Sequence, residues 1–256
     1  MRGAKNRLGP LPELAPSCSR MFPSVRLALF LAFSALAFGA DYQIEANIRY
    51  GTFPENVLDI VQSPAPALKN RPGVIVIHGA DDKSSVMDKF CVPLAKHDFV
   101  VANVEYRSSE PAPVPTRDVM TAAQWFHKHA ERFKVDASQI LALGEGSGGT
   151  LALWLVMAPA SADLGPVTRI VAVVNFYGAA SFGGAATTVR HGLPPILNIH
   201  GDEDLQSGQL TKSLKEAGDD AELILVPGGK DALTPDEMAR LWPRIFKWLK
   251  KRKIGA

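Results

Sequence analysis

Apolar runs of strand length alternate with amphipathic runs of helix length from about residue 42 to the C-terminus. Continuous runs, such as VIVI at 74–77, suit strands buried on both faces, which occur in parallel sheets covered by helices. The sequence predicts an α/β fold with a mostly parallel central sheet of about eight strands flanked by helices. The predicted strands are 42–50, 56–62, 73–78, 99–105, 140–143, 170–176, 196–200 and 221–226. The predicted helices are 85–96, 116–133, 147–157, 207–216 and 235–251.

Length and charge set the organisation and limit the partners. The chain has 256 residues, of which 46% are hydrophobic, with no internal repeat and no long linker, so a single domain over 40–256 is predicted. A formal net charge of +2 gives no reason to expect nucleic acid or an anionic membrane as a partner. The first two strands are the most polar and are predicted to form an antiparallel edge.

Residues 1–39 are predicted to be a leader. Arg26 precedes an apolar run over 27–38 of the length of a signal-peptide core, and Ala37 and Gly39 supply the small residues that a signal peptidase reads. The run is too short to span a bilayer comfortably, so no stable membrane span is expected after cleavage. The sequence therefore predicts a periplasmic or secreted protein. The alternative is that the segment stays uncleaved and anchors the protein in a membrane. Cys91 would then be the only thiol, so no disulfide is available.

The segment over 140–153 is the most informative part of the chain. It reads ILALGEGSGGTLAL, a buried strand that runs through a glycine-rich turn directly into a helix. This is the context of a nucleophile elbow, G-x-S-x-G, in which a strained turn lifts a hydroxyl above the sheet. Small residues two before and two after the nucleophile let strand and helix approach closely. Gly144 and Gly148 meet that requirement around Gly146 only.

Further motifs follow in order along the chain. They are HGA at 78–80, VEYR at 104–107, PAPVP at 111–115, NFYG at 175–178, IHGDED at 199–204 and VPGG at 226–229. With the elbow, they resemble the bacterial esterase/lipase branch of the α/β-hydrolases, the acetyl-hydrolase and feruloyl-esterase-like set, from residue 56 onward. The resemblance implies the α/β-hydrolase fold and an origin among serine hydrolases of acyl or carbohydrate esters. We expect no cofactor.

The resemblance also assigns individual positions. The nucleophilic Ser of the family aligns with Gly146, its acid with Asp204 and its His with Asp231. Its oxyanion-hole amides align with Gly79, Ala80 and Ser147. Glycine has no side chain to attack a carbonyl, and an aspartate does not relay protons near neutral pH as imidazole does. The triad is therefore incomplete. We expect a degenerate member, a pseudoenzyme that retains a pocket for a small-molecule or carbohydrate/acyl-ester ligand.

A working carboxylic-ester hydrolase is the alternative hypothesis, with Ser147 as nucleophile, Asp204 as acid and an unconventional base. This reading shifts the elbow by one residue and puts Glu145 where a small residue is needed. No histidine follows Asp204, and His191 lies in a loop that could reach the pocket. A surface protein whose pocket has closed is a third possibility.

A metal site is also weighed from the sequence. A hard cation could be held through carboxylate oxygens if several aspartates converged at the top of the sheet. The candidates are Asp81, Asp82, Asp202, Asp204 and Asp231. Their spacing resembles no known metal-binding loop, so solvated or hydrogen-bonded carboxylates are favoured and no metal is expected.

Overall fold

The protein is described by a computed structural model that covers residues 36–39, 41–65, 69–79, 83–157, 169–179, 181–182, 185–186, 192–202, 205–228 and 233–255. By its internal contacts, the chain divides into two units, Met1–Phe33 and Ser34–Ala256. Every described residue belongs to the second unit.

The strands and helices alternate as the sequence predicts. The strands are β1 Leu36–Gly39, β2 Tyr42–Arg49, β3 Val57–Gln62, β4 Arg71–Ile77, β5 Val100–Val104, β6 Val135–Glu145, β7 Val173–Phe176, β8 Ser181–Phe182, β9 Ala185–Ala186, β10 Ile196–Gly201 and β11 Ala221–Val226. The helices are α1 Val92–Lys96, α2 Val114–Lys128, α3 Ser147–Met157, α4 Leu205–Glu216 and α5 Pro235–Lys251. Shorter helical turns are the 3₁₀ turns Lys83–Val86 and Ala130–Phe133 and the π-helical turn Met87–Cys91.

Nine strands form the main sheet in the order β1-β2-β3-β5-β4-β6-β7-β10-β11. Strands β4, β5, β6, β7, β10 and β11 pair in parallel, whereas β1, β2 and β3 form the antiparallel edge. The predicted α/β fold and its mostly parallel sheet are therefore confirmed. Strand β1 lies within the predicted leader, and whether the chain is cleaved after it stays a prediction.

Helices cover both faces of the sheet and bury its central strands. One hydrophobic cluster includes Ala123 and Phe126 of α2 and Leu151 of α3, and the other includes Leu94 of α1 and Ile245 of α5. The residues of β5 are all buried, including the polar Asn103, as expected for a strand covered on both faces. Within the described residues, no helix is long and apolar enough to cross a membrane.

The predicted helix over 85–96 is divided into a 3₁₀ turn, a π-helical turn and the short helix α1. Pro93 causes the division, because its nitrogen cannot donate a helical hydrogen bond and its ring crowds the carbonyl four residues earlier. The backbone widens before the proline, where the N–H of Val92 donates to the carbonyl of Met87. The side chain of Lys89 lies on this widened turn and contacts the elbow described below.

Candidate active site at the elbow between β6 and α3

Gly146 occupies the apex of the elbow. It lies between Glu145, the last residue of β6, and Ser147, the first residue of α3, and its φ is +56°. Its N–H donates to the carbonyl of Phe176 at 2.8 Å, and its own carbonyl accepts from the N–H of Thr150 at 3.1 Å. Apart from its two chain neighbours, no described residue has an atom within 4 Å of a Cβ atom built on Gly146. The apex has room for a side chain and carries none.

Two glycines fix the register of this turn. A Cβ atom on Gly144 would lie 2.1 Å from the carbonyl oxygen of Gly148, and one on Gly148 would lie 2.2 Å from the carbonyl oxygen of His78. Both obstacles are backbone atoms, which cannot rotate aside. Strand β6, strand β4 and helix α3 therefore meet at distances that only glycine permits, and the residue centred between the two glycines is Gly146.

Ser147 is exposed at the start of α3, and its hydroxyl lies near enough to the phenol of Tyr106 to lower the pKa of that phenol. That phenol donates in turn to the carbonyls of His78 at 2.9 Å and Gly79 at 3.2 Å. Burial raises the pKa of Tyr106, and the nearby hydroxyl of Ser147 offsets only part of this rise. Tyr106 is therefore protonated at neutral pH and does not act as a base toward Ser147.

The described histidines occupy other positions. The ring of His78 is fully buried, with Nε2 at 3.1 Å from Oε1 of Glu105 and Nδ1 at 3.1 Å from the carbonyl of Gly79. His97 and His129 each bond a carbonyl four residues earlier in the chain. His127 is exposed on α2, and His200 is buried with its ring 5.6 Å from that of Tyr177. Within the described residues, Ser147 therefore has no histidine as its hydrogen-bond partner.

Glu105 organises the segment that follows β4. Its carboxylate accepts from the backbone N–H of Lys83 at 3.1 Å and of Tyr106 at 3.3 Å, besides its contact with His78. Burial raises the pKa of Glu105, but the hydrogen bonds from His78 and the two amides outweigh burial, so the net pKa lies below its ordinary value. The ionised carboxylate thus holds Lys83 directly and Gly79 through the ring of His78, and these residues are the two described ends of the predicted oxyanion-hole loop.

Glu145 is bound by a lysine from the π-helical turn. The ammonium of Lys89 donates to both carboxylate oxygens of Glu145, at 2.7 and 2.8 Å. The two side chains are only 24% and 15% exposed. This pair is adjacent in the chain to Gly146, and sequence reasoning missed it because 56 residues separate its members.

The segment after β7 is fixed by a buried amide. Asn175 accepts from the N–H of Gly178 at 2.9 Å and donates to the carbonyl of the same residue at 2.9 Å. It also donates to Oδ1 of Asn198 on β10. The turn that begins with Tyr177, whose φ is +56°, is thus attached to two neighbouring strands beside the elbow.

Several predicted site residues lie outside the described residues. These are Ala80, Asp204 and Asp231, together with Asp81, Asp82 and His191. The predicted site residues Gly79, Gly146 and Ser147 are described and lie at the adjoining ends of β4 and α3. Asp202 is exposed and accepts from the N–H of Gly228 at 3.0 Å. In the part of the chain that the structure covers, no group of three or more His, Cys, Asp or Glu residues could hold a metal ion.

Comparison with known proteins agrees with this fold. The chain belongs to the BD-FAE family, whose match spans residues 58–188, about half of its length. Human arylacetamide deacetylase-like 3 is 28% identical over 140 residues, which are 52% of this chain and 33% of that protein. The chain thus spans about a third of the length of this curated relative.

Solved esterase structures share the fold. Thermogutta terrifontis esterase 2, phosphoramylated by tabun, superposes with a TM-score of 0.69 at 19% identity, covering 81% of this chain and 94% of that one. A truncated carbohydrate esterase from gut microbiota superposes with a TM-score of 0.67 at 21% identity, covering 84% and 98%. Together with the family match, they define an α/β-hydrolase of the esterase type.

Proposed function

We propose that this protein is an exported, catalytically degenerate member of its family that binds an ester-type small molecule without hydrolysing it. The observation that carries the proposal is Gly146 at the apex of an otherwise intact elbow. A serine hydrolase needs a hydroxyl at this position to attack the carbonyl carbon of the ester, and glycine has no hydroxyl.

The scaffold around the apex supports retention of a binding site. Gly144, Gly148 and the buried Glu105–His78 pair keep the strand ends and the start of α3 in close contact. Among the described residues, none but the two chain neighbours of Gly146 enters the space within 4 Å of where its Cβ atom would lie. A ligand carbonyl could therefore approach the backbone amides of Gly79 and Ser147, with Ala80 completing the oxyanion hole that the family resemblance implies.

The class of ligand is inferred from relatives. The structural neighbours are named as an esterase and a carbohydrate esterase, and the curated relative is named as a deacetylase-like protein. These names favour an acyl or carbohydrate ester as the bound molecule. The proposal also includes an export signal over residues 1–39 and a periplasmic or secreted location. This part rests on the sequence alone.

The competing hypothesis is an active hydrolase with Ser147 as nucleophile, Asp204 as acid and an unconventional base. Two observations weigh against it. The group beside the hydroxyl of Ser147 is the phenol of Tyr106, whose raised pKa keeps it protonated and therefore unable to accept a proton at neutral pH. Centring the elbow on Ser147 would also put Glu145, paired with Lys89, at a position of close strand–helix approach.

A fluorophosphonate probe separates the two hypotheses. The purified wild type, Ser147→Ala and a control variant, Ser213→Ala, which changes an exposed serine of α4, would be incubated with the probe. We expect no stoichiometric labelling of any of the three, and p-nitrophenyl acetate and an O-acetylated methyl glucoside recovered intact. Stoichiometric labelling that is lost in Ser147→Ala and kept in Ser213→Ala would overturn the proposal.

A further inference from the structure

A cavity lies between the π-helical turn with α1 and the first half of α5. Its volume is about 390 Å³, within the range of pockets that bind small molecules. Most of its wall is apolar, formed by Pro93, Leu233, Met238 and Trp242. We call this cavity the α5 groove. Gly146 and Ser147 are not among the residues that line it.

Trp242 gives the α5 groove a flat and rigid wall. Its indole stacks on Phe246 with ring centroids 5.1 Å apart and an interplanar angle of 21°. It also meets the ring of Phe90 edge-on at 6.4 Å. An aromatic ring held from two sides is already oriented before a ligand arrives, which favours a planar, apolar ligand stacked on or beside it.

Lys89 provides the cationic group of the groove wall, whose other polar lining residues are Ser85 and Asp88. An ammonium has three N–H donors, and two of them are directed to Oε1 and Oε2 of Glu145. Within the described residues, no hydrogen-bond acceptor takes the third donor, and the ammonium lies 5.6 Å from the centroid of the Phe90 ring. The groove therefore offers one charge-assisted hydrogen-bond donor beside an apolar wall, which suits a ligand with one acceptor atom.

The charges around this donor determine which acceptor fits. Glu145 neutralises Lys89 at hydrogen-bond distance, and the exposed Asp88 adds a further negative charge to the same groove. A ligand carboxylate would be repelled by both acidic side chains, whereas a neutral carbonyl oxygen would accept the free N–H without this cost. The groove therefore discriminates against anions.

We propose that the α5 groove binds an uncharged aromatic molecule that carries a carbonyl acceptor, such as an aromatic amide or ester. The aromatic ring lies against Trp242, and the carbonyl oxygen accepts from Lys89. This site is separate from the apex of the elbow, and its binding does not depend on whether the elbow hydrolyses esters. The Lys89–Glu145 pair connects the two sites, because Lys89 lines the groove and Glu145 precedes Gly146 in the chain.

Isothermal titration with three probes of similar shape tests the chemistry. The probes are 2-naphthamide, which is neutral with a carbonyl, 2-naphthoate, which is an anion, and naphthalene, which has no acceptor. We expect the amide to bind at least about tenfold more tightly than either other probe, since a hydrogen bond to a charged donor is stronger than one between neutral groups. Tighter binding of 2-naphthoate to the wild type would overturn the proposal.

Variants locate the site and test the charge argument. Ala239 is exposed and lines the groove, so Ala239→Phe should fill it and abolish binding of 2-naphthamide. Lys247→Phe adds the same ring at an exposed position of the same helix and should bind as the wild type does. Unchanged binding in Ala239→Phe would contradict the location, and Ala239→Leu provides a smaller filling side chain if the larger variant does not fold.

The substitution Glu145→Gln distinguishes a groove in which Lys89 binds the ligand from a groove that binds through apolar contacts alone. The substitution leaves the ammonium of Lys89 without a neutralising carboxylate, so the preference should shift by about tenfold or more toward 2-naphthoate. An unchanged ratio of the affinities for 2-naphthoate and 2-naphthamide in folded Glu145→Gln would overturn the role assigned to Lys89. The fluorophosphonate test is independent of this result, so failure of one proposal is distinguishable from failure of the other.

Discussion

Gly148, in the first turn of α3, lies against the end of β4 so closely that a Cβ atom would be 2.2 Å from the carbonyl oxygen of His78. The same hypothetical atom would be 2.3 Å from the carbonyl oxygen of Ile77. Both distances are far below van der Waals contact, and both obstacles belong to the backbone of a buried strand. The packing of this helix on the sheet therefore requires glycine at position 148, whatever residue occupies the apex.

The substitution Gly148→Ala should be strongly destabilising. The added methyl group forces α3 and β4 apart, and overpacking of this kind typically costs about 1–3 kcal/mol, occasionally more. Gly208→Ala is the matched control, because a Cβ atom there meets nothing within 4 Å and the residue lies inside α4, where alanine is favoured over glycine by about 0.5–1 kcal/mol. Urea unfolding would measure both. Equal effects of the two substitutions would contradict the close approach.

The depressed pKa of Glu105 predicts a pH-dependent contribution to stability. A carboxyl whose folded pKa is lowered stabilises the fold above its unfolded pKa, near 4.5, and loses this contribution as the pH falls through its folded pKa. Glu105→Gln should therefore be less stable than the wild type at pH 7, and the difference should shrink as the pH falls below about 4.5. Unfolding free energies at a series of pH values would measure it.

Glu131→Gln is the control for this experiment, because Glu131 is exposed in the 3₁₀ turn after α2. It should leave the stability of the protein nearly unchanged over the same pH range. A stability difference for Glu105→Gln that stayed constant down to acid pH would mean that its hydrogen bonds from His78 and the two amides do not favour the ionised form.

The elbow and the fold could be predicted because short patterns in the sequence, each spanning a few neighbouring residues, specify them. Gly144 and Gly148 specify the register of the turn through their spacing alone, and the structure explains that spacing by backbone contacts at 2.1 and 2.2 Å. The start of α5 at Pro235 was likewise predictable. Thr234 and Glu237 form a capping box that is visible in the sequence and present in the structure.

Contacts between distant residues could not be predicted in the same way. The His78–Glu105 pair exists because β4 and β5 lie side by side with Ile77 opposite Val104, a register that no local pattern specifies. The Lys89–Glu145 pair depends on the π-helical turn before Pro93, where an ordinary helix was predicted. Roles for Asp204 and Asp231 rest on family resemblance alone, since both lie outside the described residues.

The predicted leader makes a testable statement about the mature chain. Cleavage after Gly39 would remove β1 and leave β2 as the edge of an eight-stranded sheet. We expect the exported protein to begin near Ala40, as measured by intact mass. Ala37→Phe should block processing, because a bulky residue replaces a small one that the peptidase reads, while Ala35→Phe should not. Exported wild-type protein that retains residues 27–38 would contradict the cleavage.

Restoring the two missing triad side chains tests the degenerate reading most directly. Gly146→Ser with Asp231→His should produce hydrolysis of p-nitrophenyl acetate at least about 100-fold faster than either single variant, since a serine without its imidazole is a weak nucleophile. The serine fits sterically, because a Cβ atom at the apex meets nothing within 4 Å. Its φ of +56° should cost about 1–2 kcal/mol of stability, which thermal unfolding would register.

The control places the same imidazole where it should not reach the serine. Asp236 is exposed in the first turn of α5, so Gly146→Ser with Asp236→His should be no faster than Gly146→Ser alone. Triad members act as a unit, so the gain from the true pair should far exceed the sum of the two single effects. A well-folded Gly146→Ser/Asp231→His variant that is no faster than its singles combined would mean that residues 146 and 231 do not face one pocket. The assignment of Asp231 to the histidine position would then be wrong, while the position of Gly146 at the apex would still stand on its backbone geometry.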